Sequence, residues 1–437
     1  MKFQYIFLTV FGVVGVLAVV IFSTMPSSND DKEIAGARGS VTIWGSFSGV
    51  YTQEVVADFN KLYRDSFSIN YEYHDPKTFD SDIVEALASG KGPDILLLPD
   101  DLLLRHTDKI ELIPYTSIPQ RNYQALFVQA SEIYMRDTGV LALPFLIDPM
   151  VMYWNRDLFN NASITEPPKH WDEFLLMTPK LTKRDRQTNI TESAVAFGEY
   201  VNVENAKDIL AMLLLQVGNP IVSMVTGEPY SKLTDKKAEQ VVPNENVVSA
   251  LRFYMDFSNP LKNIYTWNRS LKNSRDEFIE GDLAVYFGHT SEHKALRDKN
   301  PHLNFSVAPI PQPRETNTEI TLARVYGLAV LKSSRNMQTA FIAVQRLLDR
   351  GPSGDFAAVF DLPPVRRDLL NAPPNDAATS VFYDSAIRAR TWLDPRPSET
   401  NDAFREAVES ISSGRNTVPE AIIQLNDQFE TLLKPYQ

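Results

Sequence analysis

Residues 141–159 read LALPFLIDPMVMYWNRDLF, two apolar runs with one carboxylate, Asp148, and one proline, Pro149, lodged between them. Each run has strand length and carries β-branched or aromatic side chains. Pro149 cannot donate to a sheet ladder and biases Asp148 toward an extended backbone. The stretch therefore predicts two strands, with the chain leaving one sheet and entering another between them. A carboxylate at such a crossing sits where ligand clefts form between lobes and where hinge closure can bury it against a bound molecule.

The rest of the chain supports two sheets. Its 437 residues exceed one compact core and imply two large lobes. Hydrophobic residues at 43% and aromatics at 11% supply the apolar surface of a globular protein, and the 28 prolines are scattered among many loops. A formal net charge of -12 repels phosphate backbones, and no long basic, aromatic-interleaved patch offsets it, so nucleic acid is excluded as a partner.

Residues 3–22 are almost wholly apolar, and at about 1.5 Å rise per residue they are long enough to cross a bilayer of about 30 Å as a helix. Lys2 precedes the run and Asp30, Asp31 and Glu33 follow it, which fits a single N-terminal pass with the rest of the chain outside the cytoplasmic membrane. A cleaved signal peptide competes with this reading, but the sequence after the apolar core, STMP at 23–26, is a poor cleavage site. Residues 1–23 are thus expected to anchor the protein in the lipid bilayer, with 24–39 as a flexible tether. The chain has no cysteine, which excludes disulfides, thiol catalysis and thiolate metal sites.

Beyond the tether, strands and helices alternate. A strand at 41–44, a helix over 51–63, a strand at 68–73, a helix over 79–88 and a buried strand at 95–98 make a β-α-β-α-β run, the pattern of a mostly parallel sheet. Later strands are expected at 151–154, 194–197, 283–287, 305–308 and 327–331, with helices over 207–216, 247–257, 337–348 and 419–433. Thr417 and Glu420 form a capping box for the last helix. Ligands of such sheets bind at carboxyl strand ends, which singles out the loops 45–49 and 99–101.

Several motifs occur in a fixed order: ASGKGPDI at 88–95, ALPF at 142–145, YWNRDLF at 153–159, PPKHWDEF at 167–174, FIEGDLAV at 278–285 and SGRNTV at 413–418 with Ala421. Together they resemble the extracellular solute-binding proteins of ABC importers, specifically the sugar-binding group that includes maltose-binding protein. The resemblance implies an α/β, two-lobed fold of type II, each lobe a mostly parallel sheet flanked by helices. One lobe would hold 40–146 plus about 328–375, the other 147–327 plus about 376–437. It implies a monomer that captures a small solute, a mono- or oligosaccharide, and delivers it to the transmembrane subunits of an ABC permease, with no cofactor and no catalysis.

A sugar needs carboxylates and hydroxyls to pair its own hydroxyls, and an aromatic face for its C–H surface. Candidates at strand ends are Ser46 and Ser48, Asp101, and Asp148, with Asp148→Asn expected to weaken binding at little cost in stability. Glu199, Tyr200 and Thr290 fall where the resemblance places cleft residues. Thr290 and Leu98 stand where the maltose binder has aromatics, so Trp44 and Trp392 are the remaining candidates for a stacking face. Paired acids such as Asp148 and Glu199 also admit a glycoside-processing enzyme, and the same cleft could serve an anchored sensor or adhesin. The segment HTSEH at 289–293 matches the inverted zinc-protease pattern, but His289 directly follows a strand rather than lying on a settled helix face, so the motif is read as a loop.

Overall fold

A computed structural model describes residues 37–237, 240–314, 316, 318–372 and 375–437. The expected anchor and most of the tether lie outside the described residues. No helix among the described residues is long and apolar enough to cross a membrane. The chain divides into two compact units, the first running to Ile147 and resuming over Val325–Ala372, the second formed by Asp148–Arg324 and the remainder from Pro373.

In the first unit, the strand Gly39–Gly45 pairs in parallel with Phe67–Tyr73 along its whole length, Val41 opposite Ile69, and in parallel with Ile95–Pro99 at Ile43 and Trp44. The strand Thr321–Val330 adds antiparallel, Leu328 opposite Leu97. Val41, Ile43, Ile69, Ile95 and Leu97 are buried, and the helix Gly49–Leu62 covers them with Val55 and Phe59. Gly90 ends the helix Phe79–Ala88 at φ 68°, a conformation glycine adopts without cost. Asp94 serves the sheet rather than a ligand, since its carboxylate accepts the Thr42 N–H at 3.0 Å and the Ser334 hydroxyl at 2.6 Å.

The opening stretch is one strand, Leu143–Asn155, rather than two. Pro149 is compatible with pairing to Leu283–His289 because that ladder begins at Met150, opposite His289, and does not call on the missing N–H. The boundary between the units falls within this strand, after Ile147, and again within Thr321–Val330, after Arg324.

The sheet of the second unit is mixed, where a mostly parallel one was expected. Leu143–Asn155 pairs antiparallel with both Leu283–His289 and Phe305–Ala308, and Lys183–Arg184 pairs antiparallel with Ile190–Val195. Ile190–Val195 with Leu283–His289 and Thr321–Val330 with Ala389–Arg390 run parallel. Parallel pairing follows from helical crossovers. Leu143–Asn155 instead enters directly from the first unit, so no crossover sets its direction. Ile190–Val195 also starts and ends earlier than the apolar run at 194–197 suggested.

Aromatic packing builds this unit's core. Trp171 meets Phe253 at 5.2 Å and Phe287 at 5.7 Å, and Phe197 stacks on Phe287 at 5.3 Å and meets Phe257 edge-on at 5.3 Å. Trp171 Nε1 donates to Gln216 Oε1 at 2.8 Å, and Gln216 Nε2 donates to Pro311 O and Ile320 O, each at 3.0 Å. One buried amide thus ties the helix Ala206–Gln216 to the loop before the second boundary strand. The last helix, Val418–Leu433, starts as expected, with Glu420 accepting from the Thr417 N–H and hydroxyl, both at 2.8 Å.

Gly198, just after Ile190–Val195, has φ 87°, and a Cβ there would lie 2.4 Å from Ser258 Oγ and 2.8 Å from Ser258 N. Gly198→Ala should destabilise the protein by at least about 1–3 kcal/mol, read as a lower denaturation midpoint. An unchanged midpoint would show that the loop can adopt another conformation.

Candidate ligand-binding site

In the first unit the loop after Gly39–Gly45 is held by one phenol. Tyr71 Oη accepts the Phe47 N–H and donates to Phe47 O, both at 3.0 Å. Gly45 makes room for it, since a Cβ there would sit 2.6 Å from that oxygen. The held loop presents a half-buried Phe47 between half-buried Ser46 and exposed Ser48. The Phe47 ring lies 4.7 Å from Tyr326 and 4.6 Å from Phe360, both also half-buried. This partly exposed aromatic group at the carboxyl end of the sheet was missed from sequence. Phe47 is a single ring between two serines and Tyr326 lies in an apolar run, so neither carries a local signal.

After Ile95–Pro99, Asp100 is buried and accepts the Val325 N–H at 3.0 Å, whereas Asp101 is half-buried. Trp44 is also half-buried, but its indole N–H is taken by Glu72 at 2.7 Å and its ring packs on His74 at 4.0 Å.

In the second unit Asp148 and Thr290 meet. Asp148 is buried, and its carboxylate accepts the Thr290 hydroxyl at 2.8 Å, the Ser291 N–H at 3.0 Å and the Ser291 hydroxyl at 2.6 Å. Glu292, in the same turn, accepts from the His289 N–H at 2.9 Å, the Asn205 amide at 2.8 Å and the Tyr286 hydroxyl at 2.5 Å. His293 packs flat over Tyr153 and edge-on against Phe305 and Phe382. The HTSEH segment is accordingly a structural turn, its glutamate and first histidine engaged with protein groups.

His289 is buried, with Nε2 at 2.8 Å from Asp208 Oδ2, the oxygen that also accepts from Arg324 at 2.6 Å. Burial works against ionisation of Asp208, but the Arg324 charge and the His289 hydrogen bond overcome it and hold the carboxyl well below the usual carboxylate range.

Glu199 and Tyr200 are both buried. Arg269 pairs with Glu199 at 3.1 Å, and the Tyr200 hydroxyl donates to Asn401 at 2.8 Å. Trp392 is buried too, stacked on Phe429 at 5.9 Å, with Lys207 Nζ 5.5 Å above its ring. Lys207 ion-pairs with buried Asp394, which also accepts from Thr400. Sequence patterns thus located strand ends, and the structure reveals that most of the polar side chains there are already engaged within their own unit.

Two stability effects follow. Asp148→Ala leaves a turn's worth of donors without an acceptor, so it should cost about 1–3 kcal/mol, and Asp148→Asn, which swaps two acceptor oxygens for one, should also lower the unfolding midpoint rather than leave it unchanged. A depressed carboxyl such as Asp208 stabilises the fold above the unfolded carboxylate pKa, about 3.9, and loses that contribution as pH falls. Asp208→Asn should therefore flatten the acid limb of a stability–pH curve, and an acid limb identical to wild type would exclude this role.

Residues 54–345, more than half of the chain, match the profile of a family described as bacterial extracellular solute-binding protein. A Deinococcus radiodurans protein named "probable ABC transporter-binding protein" is 23% identical over 323 residues, spanning 72% of this chain and 74% of its own length. Among solved structures, the sugar-binding protein MalE from Xanthomonas citri superposes with a TM-score of 0.72 at 18% identity, covering 91% of this chain and 98% of that one. The GacH receptor of Streptomyces glaucescens, solved unliganded and with acarbose, gives 0.68 at 17% identity, covering 92% and 100%. These structural likenesses establish the fold, and the family places the protein outside the cytoplasm. On the extent of the profile match, the chain belongs to the bacterial extracellular solute-binding protein family.

Proposed function

We propose that this protein captures a carbohydrate and hands it to an ABC import permease, held near that permease by its N-terminal segment as a membrane anchor. The observation that carries the ligand class is the Phe47, Tyr326 and Phe360 group beside the hydroxyls of Ser46 and Ser48. An aromatic face covers the C–H surface of a sugar ring, and adjacent hydroxyls and carboxylates pair its hydroxyls. Solved relatives point the same way, with acarbose, mannotriose and maltotetraose among their bound molecules.

On this reading Ser46, Ser48 and Asp101 are polar contacts of the first unit, with Phe47 and Tyr326 as the stacking surface. In the second unit Glu199 and Tyr200 supply polar groups, and Asp148 acts by orienting Thr290 and Ser291. Trp44 and Trp392 serve packing. A tether raises the effective concentration at the permease. A family of binding proteins gives no support to glycoside processing.

Thermal unfolding of the full-length protein with mono- and oligosaccharides, polyols and phosphorylated sugars tests the reading. At 100 times Kd a ligand adds about 2.7 kcal/mol, so at least one oligosaccharide should raise the midpoint by several degrees. A shift with amino acids or peptides alone would refute the carbohydrate assignment. With the ligand in hand, Tyr326→Ala should weaken binding by about 10- to 150-fold, the loss of one aromatic contact worth about 1.5–3 kcal/mol. Tyr71→Phe, which releases the Phe47 loop, should weaken binding while costing only about 1 kcal/mol of stability. Carbonate extraction of membranes tests the anchor, since an anchored chain stays in the pellet.

A further inference from the structure

His289 has an acceptor on each ring nitrogen. Nδ1 lies 3.0 Å from the Asp148 carbonyl oxygen and Nε2 lies 2.8 Å from the Asp208 carboxylate. A carbonyl oxygen only accepts, and so does an ionised carboxylate, so both contacts are hydrogen bonds only when both nitrogens carry protons. We propose that His289 is a buried imidazolium strut joining the two strands that carry the unit boundaries, and that losing its proton releases the strand bearing Asp148. The chain of contacts runs from Asp148 in Leu143–Asn155, through His289 and Asp208, to Arg324 in Thr321–Val330. Asp148 and Arg324 are the residues at which the chain enters and leaves this part of the second unit.

The charged and titratable groups around the ring make this state self-consistent. Asp208 faces it from the helix Ala206–Gln216, and Arg324 and Asp148 from the two strands; Lys207 acts on Asp208, Glu292 accepts the His289 backbone N–H, and the Tyr153 hydroxyl donates to the His289 carbonyl at 2.7 Å. Lys207 is paired with Asp394, and Glu292 is met by Arg275 at 3.6 Å. That leaves His289 and Arg324 opposite Asp208 and Asp148. Burial and the Arg324 charge push the imidazole pKa down, but the Asp208 hydrogen bond and the charges of Asp148 and Asp208 outweigh them and raise it above the ordinary value. A raised folded pKa means stabilisation that is complete below the unfolded value, about 6.5, and is lost as pH rises through the folded pKa.

Which bond is lost follows from strength. A hydrogen bond to an ionised carboxylate is roughly twice as strong as one between neutral groups. The remaining proton therefore stays on Nε2, and the bare Nδ1 lone pair then faces the lone pairs of the Asp148 carbonyl. The contact to Leu143–Asn155 turns repulsive while the contact to Asp208 persists.

Nitrogen-15 histidine spectra of the full-length protein, recorded across pH, test the strut. The chain has six histidines, and His289→Gln identifies the signal. Both His289 nitrogens should remain protonated beyond about pH 6.5, where a free imidazole loses its charge. Amide exchange in residues 148–155, corrected for its intrinsic pH dependence, should accelerate by about fivefold as that proton is lost, the worth of about one net hydrogen bond. His289→Gln should abolish the step and Asp208→Asn should move it to lower pH. A bare ring nitrogen on His289 at pH 6, or an exchange step that survives His289→Gln, overturns the proposal. Should that variant fail to fold, an unmoved step in Asp208→Asn does the same.

Discussion

The carboxylate of Asp148, buried at the point where the chain enters the second unit, is the constraint on which much of that unit depends. It accepts three hydrogen bonds from Thr290 and Ser291. That fixes the turn after Leu283–His289, and the turn in turn sets Glu292 against Tyr286 and Asn205 and places His289 against Asp208. An ionised carboxylate in a poorly solvated position is tolerable only when its oxygens are satisfied. Here the satisfaction comes from one short stretch of chain, so strand, turn and the start of the helix Ala206–Gln216 are fixed together. Asn205, at the head of that helix, takes the left-handed conformation with φ 57°, which an asparagine tolerates better than most residues and which accompanies its amide bond to Glu292.

The first unit reaches a comparable end by a neutral route. Tyr71 grips both backbone groups of Phe47, and Gly45 clears the space for it. The result is a loop in which the Phe47 ring is left partly exposed while its own N–H and carbonyl are both bonded. The two units thus differ in chemistry: one presents aromatic rings and hydroxyls, the other holds its carboxylates within internal pairs such as Glu199 with Arg269 and Asp394 with Lys207.

Sequence patterns revealed the first unit's sheet well because its strands alternate or run continuously apolar and are separated by amphipathic helices. The helix at 79–88 and the strand at 305–308 coincide with the observed Phe79–Ala88 and Phe305–Ala308. The single strand Leu143–Asn155 looks like two in sequence because Pro149 looks like a break. Whether a proline interrupts a ladder depends on whether a partner needs its N–H, and that is a property of the neighbouring strand. The mixed sheet of the second unit was illegible for the same reason, since strand direction depends on what lies beside a strand.

Composition, periodicity and ordered motifs by themselves determined the α/β class, the presence of two cores, the exclusion of thiol chemistry, and the family resemblance that the profile match then established. These are sums or local repeats along the chain, so no contact has to be known to read them. Only the tertiary structure decided what the polar residues at the strand ends do. Asp148, Glu199 and Asp394 look alike as acids in loops, yet each meets partners that lie from 6 to more than 140 residues away, such as Thr400 for Asp394 and Thr290 for Asp148. The chemistry of a carboxylate is set by the donors and dielectric around it, and those arrive from distant parts of the chain only when the fold closes.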